Sequence, residues 1–155
     1  MALLARGCEE LKDISFPFSY INVDIYGWCN LRCRFCLEGQ RVNEQPALQM
    51  SFSSFRQWIG PILPALRQLE IFNWSEPLFH KELFEILQWA AGQNPSLLLR
   101  LSTNGTIIDR EIAERLIFSP IQVLTVTMVG LTKEDLSTIC ENRRELDSRY
   151  FVMLS

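Results

Sequence analysis

The chain has no apolar run approaching the roughly 18–20 residues that a membrane-spanning helix needs, and no low-complexity tract. Residues 2–5 form a short apolar patch, but no basic segment followed by a long apolar one marks a secretory signal. Histidine is nearly missing, with His80 alone. A basic excess is missing too: 15 Lys and Arg face 18 Asp and Glu, giving a net charge of −3. That balance argues against a phosphate-backbone binder, so no nucleic-acid partner is expected. What remains is an ordinary globular composition, 48% hydrophobic and 21% charged over 155 residues. The length suits one domain that buries its core without disulfide staples. Cysteine is the exception: there are five, and Cys29, Cys33 and Cys36 fall within eight residues. An odd count with that spacing suits a metal site in a reducing cytoplasm better than a disulfide framework.

Hydrophobic periodicity predicts alternating strands and helices. Residues 20–25 alternate, with Ile21, Val23 and Ile25 on one face and Asn22 and Asp24 on the other. A polar loop over 37–50 follows. Ser51 or Ser53 then caps a helix carrying Phe55, Trp58, Ile59, Ile62 and Leu63, which Pro61 and Pro64 must kink or end. Strands are predicted over 69–73, 97–102 and 121–127. The one at 97–102 is apolar enough to be covered on both faces. Helices are predicted over 80–91, closed by Gly92, from Asp109 to about residue 117, and over 131–146; a fifth strand begins at 150–154. Strand starts recur about every 24–29 residues, the rhythm of βαβ units in a parallel sheet. An open doubly wound sheet and part of a (β/α) barrel both fit. Either places the chemistry at the carboxyl ends of the strands.

The first strand runs into Cys29-Asn30-Leu31-Arg32-Cys33-Arg34-Phe35-Cys36. Three thiolates on one loop can converge on a metal centre, and a four-iron cluster held by three cysteines keeps one iron open to other ligands. A structural zinc site, with Cys8 as a distant fourth ligand, is the alternative at this point.

This loop resembles the cluster-binding signature of radical S-adenosylmethionine (radical SAM) enzymes, Cys-x3-Cys-x-aromatic-Cys, with Phe35 in the aromatic place. Three later segments follow the same resemblance. Asn73-Trp74-Ser75-Glu76-Pro77-Leu78 is similar to the family's Gly-Gly-Glu-Pro segment, with Trp74 and Ser75 in place of the glycines. Leu101-Ser102-Thr103-Asn104-Gly105-Thr106 is similar to its Ser-Thr-Asn-Gly turn. Val126-Thr127-Met128-Val129-Gly130 is similar to its Ser-Leu-Asp-Gly segment, with Val129 where Asp is usual. Where many relatives carry an Arg for the SAM carboxylate, this chain has Cys140, with Arg143 and Arg144 nearby.

The resemblance implies a partial (β/α)6 radical SAM barrel of about four βα units plus the start of a fifth strand. Residues 1–18 would be a lead-in and 19–155 the N-terminal part of the core domain. It implies a [4Fe–4S] cluster on Cys29, Cys33 and Cys36, and SAM contacts from Phe35, Ser75, Glu76, Ser102, Asn104 and Thr127. The implied activity is reductive cleavage of SAM to a 5′-deoxyadenosyl radical that abstracts hydrogen from a substrate, in an oxidoreductase or transferase. The partners would be an electron donor such as flavodoxin or ferredoxin and a peptide or small-molecule substrate. Among subfamilies the segments look most like the group bearing a C-terminal Cys-rich SPASM extension. The missing units imply a truncated chain, and the alternative is an inactive iron–sulfur or zinc-binding remnant without turnover.

Overall fold

The computed structural model describes residues 19–36 and 48–128. The predicted helix at 131–146, the fifth strand, Cys8, Val129, Gly130, Cys140, Arg143 and Arg144 lie outside the described residues. Four strands, β1 (Tyr20–Asn22), β2 (Gln68–Ile71), β3 (Leu98–Thr103) and β4 (Val123–Val126), form one sheet. All are parallel, in the order β1-β2-β3-β4. A doubly wound sheet reverses its strand order at a switch point, where ligands bind. No reversal occurs among the described strands. Each is added beside its predecessor, as in a (β/α) barrel, and the fold is an α/β partial barrel.

Helices α1 (Phe52–Trp58), α2 (Leu83–Gln93) and α3 (Arg110–Ile117) fill the crossovers. Ser51 is the cap of α1, its side chain accepting the Ser54 N–H, and Glu82 accepts the Phe52 N–H from across the fold. The helix stops at Trp58, ahead of Pro61, and a 3-10 turn occupies Leu63–Ala65. Asp109 caps α3 by accepting the Ile112 N–H at 2.8 Å. Phe55, Leu69, Ile71, Leu83, Ile86, Leu87, Ala90, Leu99 and Leu101 form the core between the helices and one face of the sheet.

Three predictions need correction. Helix α2 begins at Leu83, not at residue 80, because Pro77–Phe79 forms a separate 3-10 turn. It also runs through Gly92 to Gln93. Asn94 ends it, its side-chain amide donating to the Leu63 and Leu66 carbonyls at 2.9 and 2.8 Å. Strand β3 is not covered on both faces by apolar groups: burial alternates along it, and Arg100 faces away from the core to pair with Glu70 at 2.8 Å. The run of leucines concealed a two-sided strand whose second face carries Leu98, Arg100 and Ser102. Finally, residues 48–50 are not simply loop. Gly27 donates to the Leu48 carbonyl and Met50 to that of Ile25, so the chain returns antiparallel to the continuation of β1.

Candidate functional site

The carboxyl ends of β1, β2 and β3 bring the first three motif segments together. From β1 the chain stays extended through Ile25, with the Val23 N–H on the Glu70 carbonyl at 2.8 Å, and then enters the cysteine loop. Asp24, at the end of this extension, accepts the Trp74 N–H at 3.1 Å and the Ser75 hydroxyl. The Glu76 N–H donates to the Trp28 carbonyl at 2.9 Å. The segment after β2 is therefore tied to the strand end that leads into the cysteines. The aromatic rings of Tyr26, Trp28 and Phe79 pack beside it.

Glu76 joins β2 to β3. Its side chain is 1% exposed. It accepts the Thr103 hydroxyl at 2.6 Å, the Asn104 N–H at 2.7 Å and the N–H of its own Leu78 at 3.2 Å. Burial pushes its carboxyl above the usual carboxylate range, and the three donors act against that rise. With those donors engaged, Glu76 organises the turn after β3 rather than presenting an open carboxylate. In that turn Gly105 has φ +73°, the left-handed conformation that glycine adopts without penalty.

The turn reaches back to the cysteines. Asn104 Nδ2 donates to Asn30 Oδ1 at 2.9 Å and to Cys29 Sγ at 3.5 Å, and the Leu31 N–H donates to the same sulfur at 3.4 Å. Burial pushes the Cys29 thiol up to about 11, with smaller upward contributions from Glu76 and Cys36. None of the three cysteines is in a disulfide, and each is half-buried.

The donor set fits an iron–sulfur cluster by its chemistry: three thiols on one loop, the first already receiving two N–H groups at its sulfur. Among the described residues no three Cys, His, Asp or Glu side chains form a metal cage.

The remaining site residues fall at the same end of the sheet. Ser102 lies on the polar face of β3, in register with Thr125, and makes no side-chain hydrogen bond among the described residues. Thr127 is exposed, its N–H on the Thr103 carbonyl at 2.8 Å. Phe35 is 70% exposed and Trp74 41%. Sequence reasoning missed Asp24, Asn30 and Thr106 as bracing residues. All three lay inside or beside the quoted motifs, and only the fold shows which strands they connect. His80, buried, takes no part in the site: its Nε2 donates to the Met50 carbonyl at 2.8 Å and its Nδ1 accepts the Glu82 N–H.

No family model matches the chain. Known proteins do. It is 30% identical over 106 residues to an AdoMet-dependent heme synthase of Methanosarcina barkeri, covering 68% of this chain and 30% of that protein. It is 26% identical over 114 residues to a GTP 3′,8-cyclase of Synechocystis sp., covering 66% and 35%. The chain belongs to the radical SAM superfamily. The crystal structure of BtrN in complex with AdoMet and 2-DOIA shares the fold, with a TM-score of 0.58 at 19% identity over 77% of this chain and 54% of that one. This radical SAM chain thus spans about a third of the length of these two curated relatives. The cofactors of its family, a [4Fe–4S] cluster and SAM, are those the motif resemblance implied. No helix among the described residues is long and apolar enough to cross a membrane.

Proposed function

We propose that residues 19–155 are the N-terminal part of a radical SAM core domain, preceded by a lead-in at 1–18, and that the chain binds both cofactors and cleaves SAM. The observation that carries this reading is the meeting of the cysteine loop with the turn after β3, through Asn104 and Cys29. Cys29, Cys33 and Cys36 would hold the cluster. Bound and reduced there, the cluster would supply the electron for reductive cleavage of SAM, the source of a 5′-deoxyadenosyl radical for hydrogen abstraction from substrate. The chain's own part is to bind and orient. Ser102 and Thr127 offer unengaged hydroxyls to SAM at neighbouring strand ends, and Ser75 offers the lone pairs its bond to Asp24 leaves. Phe35, exposed on the cluster loop, supplies an apolar face for the adenine. Glu76 and Asn104 hold the turn that presents Ser102 and contribute backbone groups. We place the protein in the cytoplasm, with a flavodoxin- or ferredoxin-like electron donor. The substrate is a peptide or small molecule, and the reaction class is oxidoreductase or transferase.

Anaerobic reconstitution with iron and sulfide tests this. The expected product is a brown protein with a reduced-cluster EPR signal and SAM-dependent 5′-deoxyadenosine. A colourless protein holding one zinc ion contradicts it. A second reading, a remnant that binds a cluster without turnover, draws on Trp74, a bulky and 41% exposed side chain in a glycine place. It predicts a cluster whose EPR signal SAM leaves unchanged.

A further inference from the structure

Asn30, Thr106 and Asn104 form a closed ring of side-chain hydrogen bonds, each donating to the next. Asn30 Nδ2 donates to Thr106 Oγ1 at 2.8 Å, Thr106 Oγ1 to Asn104 Oδ1 at 2.6 Å, and Asn104 Nδ2 to Asn30 Oδ1 at 2.9 Å. The Thr106 N–H also donates to Asn104 Oδ1, at 2.9 Å. An asparagine amide has two donor hydrogens and one oxygen with two lone pairs. In Asn104 both lone pairs and one hydrogen are spent within the ring, and the remaining hydrogen points at Cys29 Sγ, 3.5 Å away. Its backbone N–H is held by Glu76 at 2.7 Å. Every polar atom of this side chain is therefore committed, and its one bond outside the ring falls on a sulfur.

We propose that Asn104 is a positioning residue for the cluster: clamped by Asn30 and Thr106, it donates an N–H···S hydrogen bond to the ligand Cys29. This assignment rests on the function proposed above and replaces the side-chain contact to SAM that the motif alone suggests for Asn104. Donors to ligand sulfurs stabilise the more negative reduced cluster and raise its reduction potential. Outer-shell partners also fix ligand orientation, and their loss costs about 10–100-fold in metal affinity.

The test is a redox titration of the reconstituted full chain, followed by EPR, with iron loss to a chelator measured in parallel. Asn104→Ala is expected to lower the midpoint potential and to speed iron loss by about tenfold. Thr106→Val, which opens the ring without touching the sulfur, is expected to shift the midpoint the same way and by less. Leu87→Ala, a core change away from the loop, loosens the fold and leaves the midpoint where it was. An unchanged midpoint in both Asn104→Ala and Thr106→Val, on clusters of normal iron content, overturns the assignment while leaving the proposed function standing. A wild-type chain that takes up no cluster overturns both.

Discussion

At Glu76 a carboxylate with almost no exposed surface accepts hydrogen bonds from Leu78, Thr103 and Asn104. Removing it strands buried donors on both strand ends. Glu76→Ala is expected to cost about 2–4 kcal/mol, given about 1–3 kcal/mol for each unsatisfied buried group, and urea unfolding measures it. The carboxyl is also raised by burial, which sets the sign of its pH dependence. A group with a raised folded value adds most to stability below its ordinary unfolded value. That contribution is lost as pH climbs through the folded one. Relative to Glu76→Gln, the wild type should therefore lose stability as pH rises from the ordinary carboxylate range through the raised value. A flat difference across that window contradicts the burial argument. Gly105 gives a second residue-level case. A Cβ there would sit 2.9 Å from Val126 Cγ1, at φ +73°. Gly105→Ala should cost about 1–3 kcal/mol, read as a lowered thermal midpoint.

Among the elements, helix α2 shows what hydrophobic periodicity conveys. Leu83, Ile86, Leu87 and Ala90 form one buried stripe, and this spacing was legible in the sequence. Its ends were not, because they are set by groups far along the chain. Asn94 finds two carbonyls near residue 65, and the 3-10 turn before the helix packs Phe79 on Tyr26 and Trp28. Gly92 reads as a terminator and is a helical residue with open space where a side chain would stand. Gly92→Ala should consequently stabilise the protein by about 1 kcal/mol, a gain that a true left-handed cap would turn into a loss. Strand β3 misled for a related reason. Leucines mask the period of two, and the role of Arg100 depends on Glu70 of the neighbouring strand. Glu70 also accepts from Tyr20, at 2.7 Å, and from Gln68, at 2.9 Å. Motif spacing placed the candidate site residues at strand ends. Which of them brace and which stay open required the cross-strand bonds.

Across the described residues, sequential parallel strand order distinguishes a barrel, which the motif resemblance implied, from the doubly wound sheet that hydrophobic periodicity alone left open. The last described units are the least covered. Helix α3 has no buried residue, Ile117 and Phe118 are 76% and 84% exposed, and β4 shows Leu124 and Val126 at its surface. Ile117→Ser and Phe118→Ser should each leave stability within about 0.5 kcal/mol, as surface changes do. A larger loss in thermal unfolding would mean that these side chains are covered in solution. The strand ends of this radical SAM chain are proposed to hold a cluster on Cys29, Cys33 and Cys36 and to bring SAM to it. The most direct test of this claim is chromatographic quantification of 5′-deoxyadenosine after anaerobic reconstitution, reduction and addition of SAM. The wild type should form it, and Cys33→Ala, lacking a ligand, should not. Equal formation by both proteins, or none from a cluster-loaded wild type, contradicts the claim.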